Sequence, residues 1–179
     1  MARHIVIAGK RHTGKSTLIR RLLEDYDGPV YGFYTDHGKC MRPGYRSFFM
    51  YKIGEERVDS EENHIGDSVA GRGIFYKETF DNYGVACLDS INSDGIVIMD
   101  ELGFMEAEAG SFCAKVFELL DGDIPVILAT KSGHDDVEFL VKLRNHPNAH
   151  TCYISEDNRE ELYVELRDYI LESNFFKRR

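Results

Sequence analysis

An α/β fold, built on a central, mostly parallel sheet flanked by helices and carrying a small β-hairpin extension, is what this sequence predicts. Three observations carry that reading. Short apolar runs recur at His4 to Ala8, Gly95 to Met99 and Pro125 to Thr130 without polar alternation, as strands buried on both faces do. Between and after them lie segments whose apolar residues follow helical spacing. The stretch 36–73 breaks this regularity, being rich in glycine, aromatics and charge, with turn signals at His37-Gly38 and Arg42-Pro43-Gly44.

Taken in order, the first strand His4 to Ala8 is followed by a glycine and then by a helix over Lys15 to Tyr26. Leu18, Ile19, Leu22 and Leu23 form that helix's apolar stripe, and Asp27-Gly28-Pro29 stops it. Val30 to Thr35 is a second strand, interrupted by Gly32. Within 36–73, Arg46 to Ile53 reads as one strand of a hairpin, so this stretch is an antiparallel extension on the sheet edge of a single domain spanning 1–179. Glu78 to Ile91 is weakly helical. After the strand Gly95 to Met99 come a helix over Glu108 to Leu120 and the strand Pro125 to Thr130. A helix over Asp135 to Arg144, N-capped by Asp135, a strand over His150 to Ile154 and a helix over Asn158 to Glu172 complete the pattern. Such alternation implies right-handed crossovers, with ligands at the carboxyl ends of the strands.

The 179 residues, 42% apolar and 30% charged, suffice for one real core and exclude disorder and low complexity. A net charge of −9 argues against an electrostatic footprint for nucleic acid. Cys40, Cys87, Cys113 and Cys152 are too scattered for a zinc site or a disulfide framework, which points to reduced thiols in the cytoplasm. No apolar run reaches the roughly 20 residues of a membrane helix, and the N-terminus lacks a signal peptide's apolar segment. Phe175 to Arg179 reads as a frayed, solvated tail. Nothing in the chain points to a particular protein partner.

The strongest chemical signal is Gly9-Lys10-Arg11-His12-Thr13-Gly14-Lys15-Ser16, a full match to G-x-x-x-x-G-K-[ST] between a buried strand and an amphipathic helix. The glycines let successive main-chain N–H groups converge on phosphate oxygens, and the helix start adds its positive end. Lys15 would bridge the β- and γ-phosphates, Ser16 would ligate Mg²⁺, and Thr17 completes the nucleotide-binding run. Lys10, Arg11 and His12 fill the loop's variable positions, where they either touch phosphate or face solvent.

A second signal is Asp100-Glu101 at the end of the strand Gly95 to Met99. Behind a phosphate loop, Asp100 would hold the magnesium shell and Glu101 would polarise the attacking water. The segment after the strand Pro125 to Thr130, Lys131 to Asp136, is short for a kinase lid and contains no arginine, which favours hydrolysis over transfer.

These residues carry a resemblance. The opening residues 1–9 with Thr13-Gly14-Lys15-Ser16-Thr17-Leu18-Ile19, the strand Tyr31-Gly32-Phe33-Tyr34-Thr35, the string Asp100-Glu101-Leu102-Gly103-Phe104-Met105-Glu106 and the late Ser155-Glu156-Asp157-Asn158-Arg159 resemble, in order, the nucleoside-triphosphatase family known from thermophilic microbes and from a vertebrate cancer-related member. The resemblance implies a RecA-like P-loop core and Mg²⁺-dependent hydrolysis of ATP, GTP or related triphosphates with loose base selectivity. It also implies that Arg46 and Glu106 are site residues, whereas Arg159, beside Asn158, reads either as near the base or ribose at the sheet's C-terminal edge or as a solvated helix start with Glu160-Glu161 nearby. Three departures mark a divergent branch. Phe104 stands where the family string has lysine, Arg46-Ser47-Phe48-Phe49 lacks the family glycine, and the phosphate loop carries Lys10, Arg11 and His12 in place of small residues.

From the residues alone, Arg46 reads equally as a surface arginine, Glu106 as a solvated helix-start acid, and Thr130 as either a γ-phosphate sensor or a strand end. The aromatics Phe33, Tyr34, Phe48, Phe49, Tyr51, Phe75 and Tyr76 read as packing. A small-molecule or nucleotide kinase, with its acceptor against the 36–73 extension, and a non-catalytic ATP-dependent switch are the alternative functions.

Overall fold

Each apolar run becomes an inner strand because a segment without alternating polarity has two faces to bury. The computed structural model describes residues 3–89, 91–173 and 175–177. Its strands are β1 (His4–Gly9), β2 (Val30–His37), β3 (Arg46–Lys52), β4 (His64–Val69), β5 (Arg72–Phe75), β6 (Ile96–Leu102), β7 (Val126–Lys131) and β8 (Ala149–Ile154). The helices are α1 (Lys15–Leu22), α2 (Lys77–Thr79), α3 (Val85–Leu88), α4 (Gly110–Asp121), α5 (Glu138–Arg144) and α6 (Arg159–Glu172).

All eight strands form one sheet, in the order β5-β4-β3-β2-β6-β7-β1-β8. β2, β6, β7, β1 and β8 run parallel, whereas β3, β4 and β5 extend the β2 edge by antiparallel pairing. β7 thus separates the phosphate-loop strand β1 from the acidic strand β6, the RecA-like order.

Two apolar layers cover the sheet. Ile5, Ile7, Ile98, Ile127 and Ala129 pack with Leu18, Ile19 and Leu22 of α1 and Leu162 and Leu166 of α6. Val6, Val97, Met99 and Leu128 pack on the other face with Phe112 and Val116 of α4 and Leu140 of α5. This doubly covered core holds β6, β7 and β1, so the carboxyl ends of those three strands are a rigid rim. Gly32 is required where β2 meets β6. Its φ is +103°, and a Cβ there would lie 2.0 Å from the Ile98 carbonyl oxygen.

Several expectations are corrected. The extension is three strands rather than a hairpin, and it runs on to Phe75. The helix expected over 78–91 runs instead from Lys77 to Leu88, with a π turn at Phe80–Gly84 dividing α2 from α3. Its residue 90 lies outside the described residues, and Ile91 packs against the core from beyond the helix. α5 begins at Glu138, and Asp135 is no cap, because it receives a 2.6 Å hydrogen bond from Arg144. Phe175 and Phe176 are not frayed. Phe175 is buried in the α1–α6 layer and Phe176 packs on Tyr26 in a tilted arrangement with ring centroids 4.6 Å apart. Burying one phenylalanine is worth roughly 1.5–3 kcal/mol, enough to hold a chain end down. Arg178 and Arg179 lie outside the described residues.

Among the described residues no helix is long and apolar enough to cross a membrane. All four cysteines are free thiols; Cys87 and Cys152 are buried, Cys113 partly so, and Cys40 is exposed.

Candidate functional site

The phosphate loop leaves β1 at Gly9 and enters α1 at Lys15, with Gly14 in the left-handed region at φ +96°. The loop braces itself. Thr13 Oγ1 donates to the Lys10 carbonyl at 2.9 Å, and the buried Lys15 Nζ donates to the carbonyls of Lys10 at 2.8 Å and Gly9 at 3.1 Å. Lys10, Arg11 and His12 are exposed, and Arg11 and His12 line the cavity beside the loop. Thr17 is exposed on the first turn of α1, within reach of Arg20.

Arg159, the first residue of α6, donates to the carbonyls of Thr13 at 2.8 Å and His12 at 3.3 Å. Its Nε also lies 3.3 Å from where a Cβ at Gly14 would stand. These bonds place the Arg159 guanidinium on the main chain of the phosphate loop, which it braces.

Asp100 and Glu101 reach the same site by a local irregularity. In a regular strand, adjacent residues point to opposite faces. Here the register against β7 jumps from Asp100–Ala129 to Leu102–Thr130, a bulge that leaves Glu101 without a cross-strand partner. Asp100 Oδ1 accepts a 3.0 Å hydrogen bond from Ser16 Oγ, and Glu101 lines the same cavity as Lys15 and Ser16. That cavity has a volume of about 400 Å³. Its far wall is Thr35, Asp36 and His37 from β2 and Phe48 from β3, which the sequence reading had not singled out as a group. A larger cavity of about 950 Å³ lies between the end of α1 and α6, lined by neither phosphate-loop nor acidic-pair residues.

The electrostatics follow from burial. Burial pushes the Asp100 carboxyl above its ordinary range, and Glu101 adds to the push, whereas the Ser16 hydrogen bond and Lys15 oppose it. Burial pushes the Lys15 ammonium down, with Glu101 and Asp100 pulling it back. Each group is uncomfortable alone and is held by the other. His37 is lowered by burial, with Arg46 and Arg11 adding to the effect. Arg46 is therefore near the cavity's outer wall, although its side chain is exposed.

Glu106 is not the solvated acid that its helix-start position suggests. It is 1% exposed, and burial lifts its carboxyl to about 7. The Gly103 N–H donates to Oε1, while Oε2 has no hydrogen-bond partner among the described residues. Thr130 is fully buried, and its hydroxyl likewise has no partner among the described residues.

The residues present fit a divalent cation held partly by a nucleotide. Ser16 Oγ and Asp100 Oδ1 are hard oxygen donors within 3.0 Å of each other, as a Mg²⁺ shell completed by water and phosphate oxygens needs. Among the described residues no group of three or more His, Cys, Asp or Glu is placed to cage a metal without such help.

A family model described as NTPase matches residues 4–167. The nucleoside-triphosphatase THEP1 of Methanocaldococcus jannaschii is 30% identical over 177 residues, covering 93% of this chain and 96% of its own. THEP1 of Thermotoga maritima is 28% identical over 169 residues, covering 90% and 92%. The crystal structure of THEP1 from Aquifex aeolicus superimposes with a TM-score of 0.69 at 21% identity, over 91% of this chain and 96% of that one, a likeness of fold.

Proposed function

The chain belongs to the NTPase family, whose model spans residues 4–167, and on that premise we propose that it is a Mg²⁺-dependent hydrolase of ATP- or GTP-type nucleoside triphosphates. The products are the diphosphate and inorganic phosphate. One observation carries the reading: the bulge in β6 brings Asp100 and Glu101 to the same loop, with Asp100 3.0 Å from the Ser16 hydroxyl.

Main-chain N–H groups of residues 13–16 and the start of α1 bind the phosphates, and Lys15 turns from its loop carbonyls to the β- and γ-oxygens. Ser16 and Asp100 would hold the cation, which when bound would neutralise charge on the phosphate oxygens. Glu101 orients a water toward the γ-phosphorus and accepts its proton as the new P–O bond forms and the bond to the β–γ bridging oxygen breaks. Arg159 keeps the loop in shape for this. The free thiols, exposed Cys40 included, support a cytoplasmic setting.

The test is phosphate release from the purified chain with ATP and with GTP, with and without Mg²⁺, beside Lys15→Ala. Release that requires the metal and vanishes in the variant is expected. A chain that binds ATP but releases no phosphate would overturn the hydrolase reading. The β2–β3 wall of the cavity favours one second reading, a small-molecule kinase, and transfer to a screened acceptor outpacing phosphate release would establish it.

A further inference from the structure

Lys131, the last residue of β7, was absent from the sequence-derived site. In the sheet its Cα is paired with that of Gly9, the first residue of the phosphate loop, and Ser132 N–H donates to the Gly9 carbonyl at 3.1 Å. Paired positions on neighbouring strands are about 5 Å apart. By strand alternation Lys131 shares the face of Ile127 and Ala129, against which Leu18 and Ile19 of α1 pack. Lys131 therefore stands on the α1 side of the sheet, between the phosphate loop and the acidic pair.

Its main chain is pinned. The buried Arg144 donates to the Lys131 carbonyl at 3.1 Å, to that of Gly133 at 2.9 Å and to Asp135 at 2.6 Å. Its side chain is channelled by three neighbours. The main chain at Gly103 lies so close that a Cβ there would be 3.3 Å from Lys131 Cδ and Nζ. The Phe104 ring centroid is 5.1 Å from Nζ, and that ring is itself held between Phe75 and His134. Glu101 Oε1 is 3.8 Å away.

At 3.8 Å the ion pair is too long for a hydrogen bond. Lys131 Nζ donates no hydrogen bond to any described residue, in contrast to Lys15, which donates two. The ammonium is thus held near the site by a ring face and a loose ion pair, with its donors unspent. It is also close enough to Lys15 to disfavour that group's charge, so a further anion between the two is electrostatically welcome. The Phe104 ring lies under the ammonium of Lys131.

We propose that Lys131 is a specificity-determining residue that recognises the γ-phosphate, moving from Glu101 onto the terminal phosphate so that the site distinguishes a triphosphate from a diphosphate. This rests on the hydrolase reading above. The phosphate loop binds the phosphates common to both nucleotides, whereas Lys131, entering from β7, adds a contact that only the third phosphate can accept. Phe104 keeps its ammonium aimed without consuming a hydrogen bond.

Calorimetric titration of the full chain with the magnesium complexes of a non-hydrolysable β,γ-imido analogue of ATP and of ADP tests this. Lys131→Met is expected to weaken the analogue about 10-fold, the loss of one charge-assisted contact, while changing ADP affinity less than about 2-fold. Lys131→Arg is expected to keep most of the preference. Unchanged ADP binding also reports that the variant is folded. Equal weakening of both nucleotides, or an unaltered preference in Lys131→Met, would overturn the inference and leave the hydrolase reading standing. Failure of the unaltered chain to bind either nucleotide would overturn the hydrolase reading, and this inference with it.

Discussion

The parallel half of the sheet and its antiparallel extension share hydrogen bonds along β2 and β3 but are held together differently. Around β6, β7 and β1 the buried side chains are almost all apolar and both faces are covered. The extension instead buries a polar cluster centred on Asp67, which is 1% exposed and accepts hydrogen bonds from Ser47 at 2.6 Å, Tyr76 at 2.7 Å and the His64 ring at 2.9 Å. Burial works against this carboxylate, yet the three donors hold its pKa below the ordinary value. Area sustains the first region, so the loss of one contact there is diluted. The second buries Phe49, Met50 and Ile65 as well, but adds one buried charge with matched donors, an arrangement whose breakage is costly.

The sharpest way to separate the two regions is at Glu101. Glu101→Gln should lower kcat about 10³-fold while leaving nucleotide affinity within about 2-fold, because the amide keeps the shape but cannot take the water's proton. Phosphate-release and binding assays on the same preparation check this, and retained turnover would remove Glu101 from the mechanism.

Asp67→Ala should do the reverse. It strands the buried Ser47 and His64 donors and the partly buried Tyr76 hydroxyl, and is expected to cost about 3–4 kcal/mol of stability by denaturant titration, with kcat well below the transition changed less than about 3-fold. A variant inactive yet fully stable would show that the extension takes part in the chemistry.

The smallest effect is expected at Glu106, beside the acidic strand. Its folded pKa of about 7 lies above the ordinary carboxyl value of 4.5. Between those values the folded chain holds more protons than the unfolded one, so this group's contribution to stability falls as pH rises from about 4.5 to 7 and is level above. Glu106→Gln removes that slope. Because the amide's own donors also lack partners, the net gain at pH 8 is about 1–2 kcal/mol, less than the shift alone implies. A Tm series from pH 5 to 8 on both proteins measures it, and parallel curves would refute it.

The parts of this molecule that could be read from sequence are those governed by local period. The runs at His4, Gly95 and Pro125 declared two-faced burial, and the phosphate loop declared itself by a spacing that backbone geometry demands. Asp100 and Glu101 were legible as a pair, but the bulge that points both at the loop was not, because it depends on the register against β7. Arg144 gave no signal, since a basic residue at a helix end looks like a solvated one until the loop folds over it. Lys131 was passed over for a related reason: what places it is its pairing with Gly9, a contact across 122 residues. The three-stranded extension was read as a hairpin because strands with interior polar residues lack a clean alternation.

The place of β7 has a bearing on local opening. Amides in strands covered on both faces exchange with solvent mainly through global unfolding, whereas edge strands exchange through small openings. β6, β7 and β1 belong to the first kind, and β5 and β8, at the two ends of the sheet, to the second. Deuterium should therefore label both edges long before it reaches the strands that bear Gly9, Asp100 and Lys131. The groups proposed to meet the phosphates are mounted on the last part of the chain to let go, and they keep their spacing through openings of the edge strands.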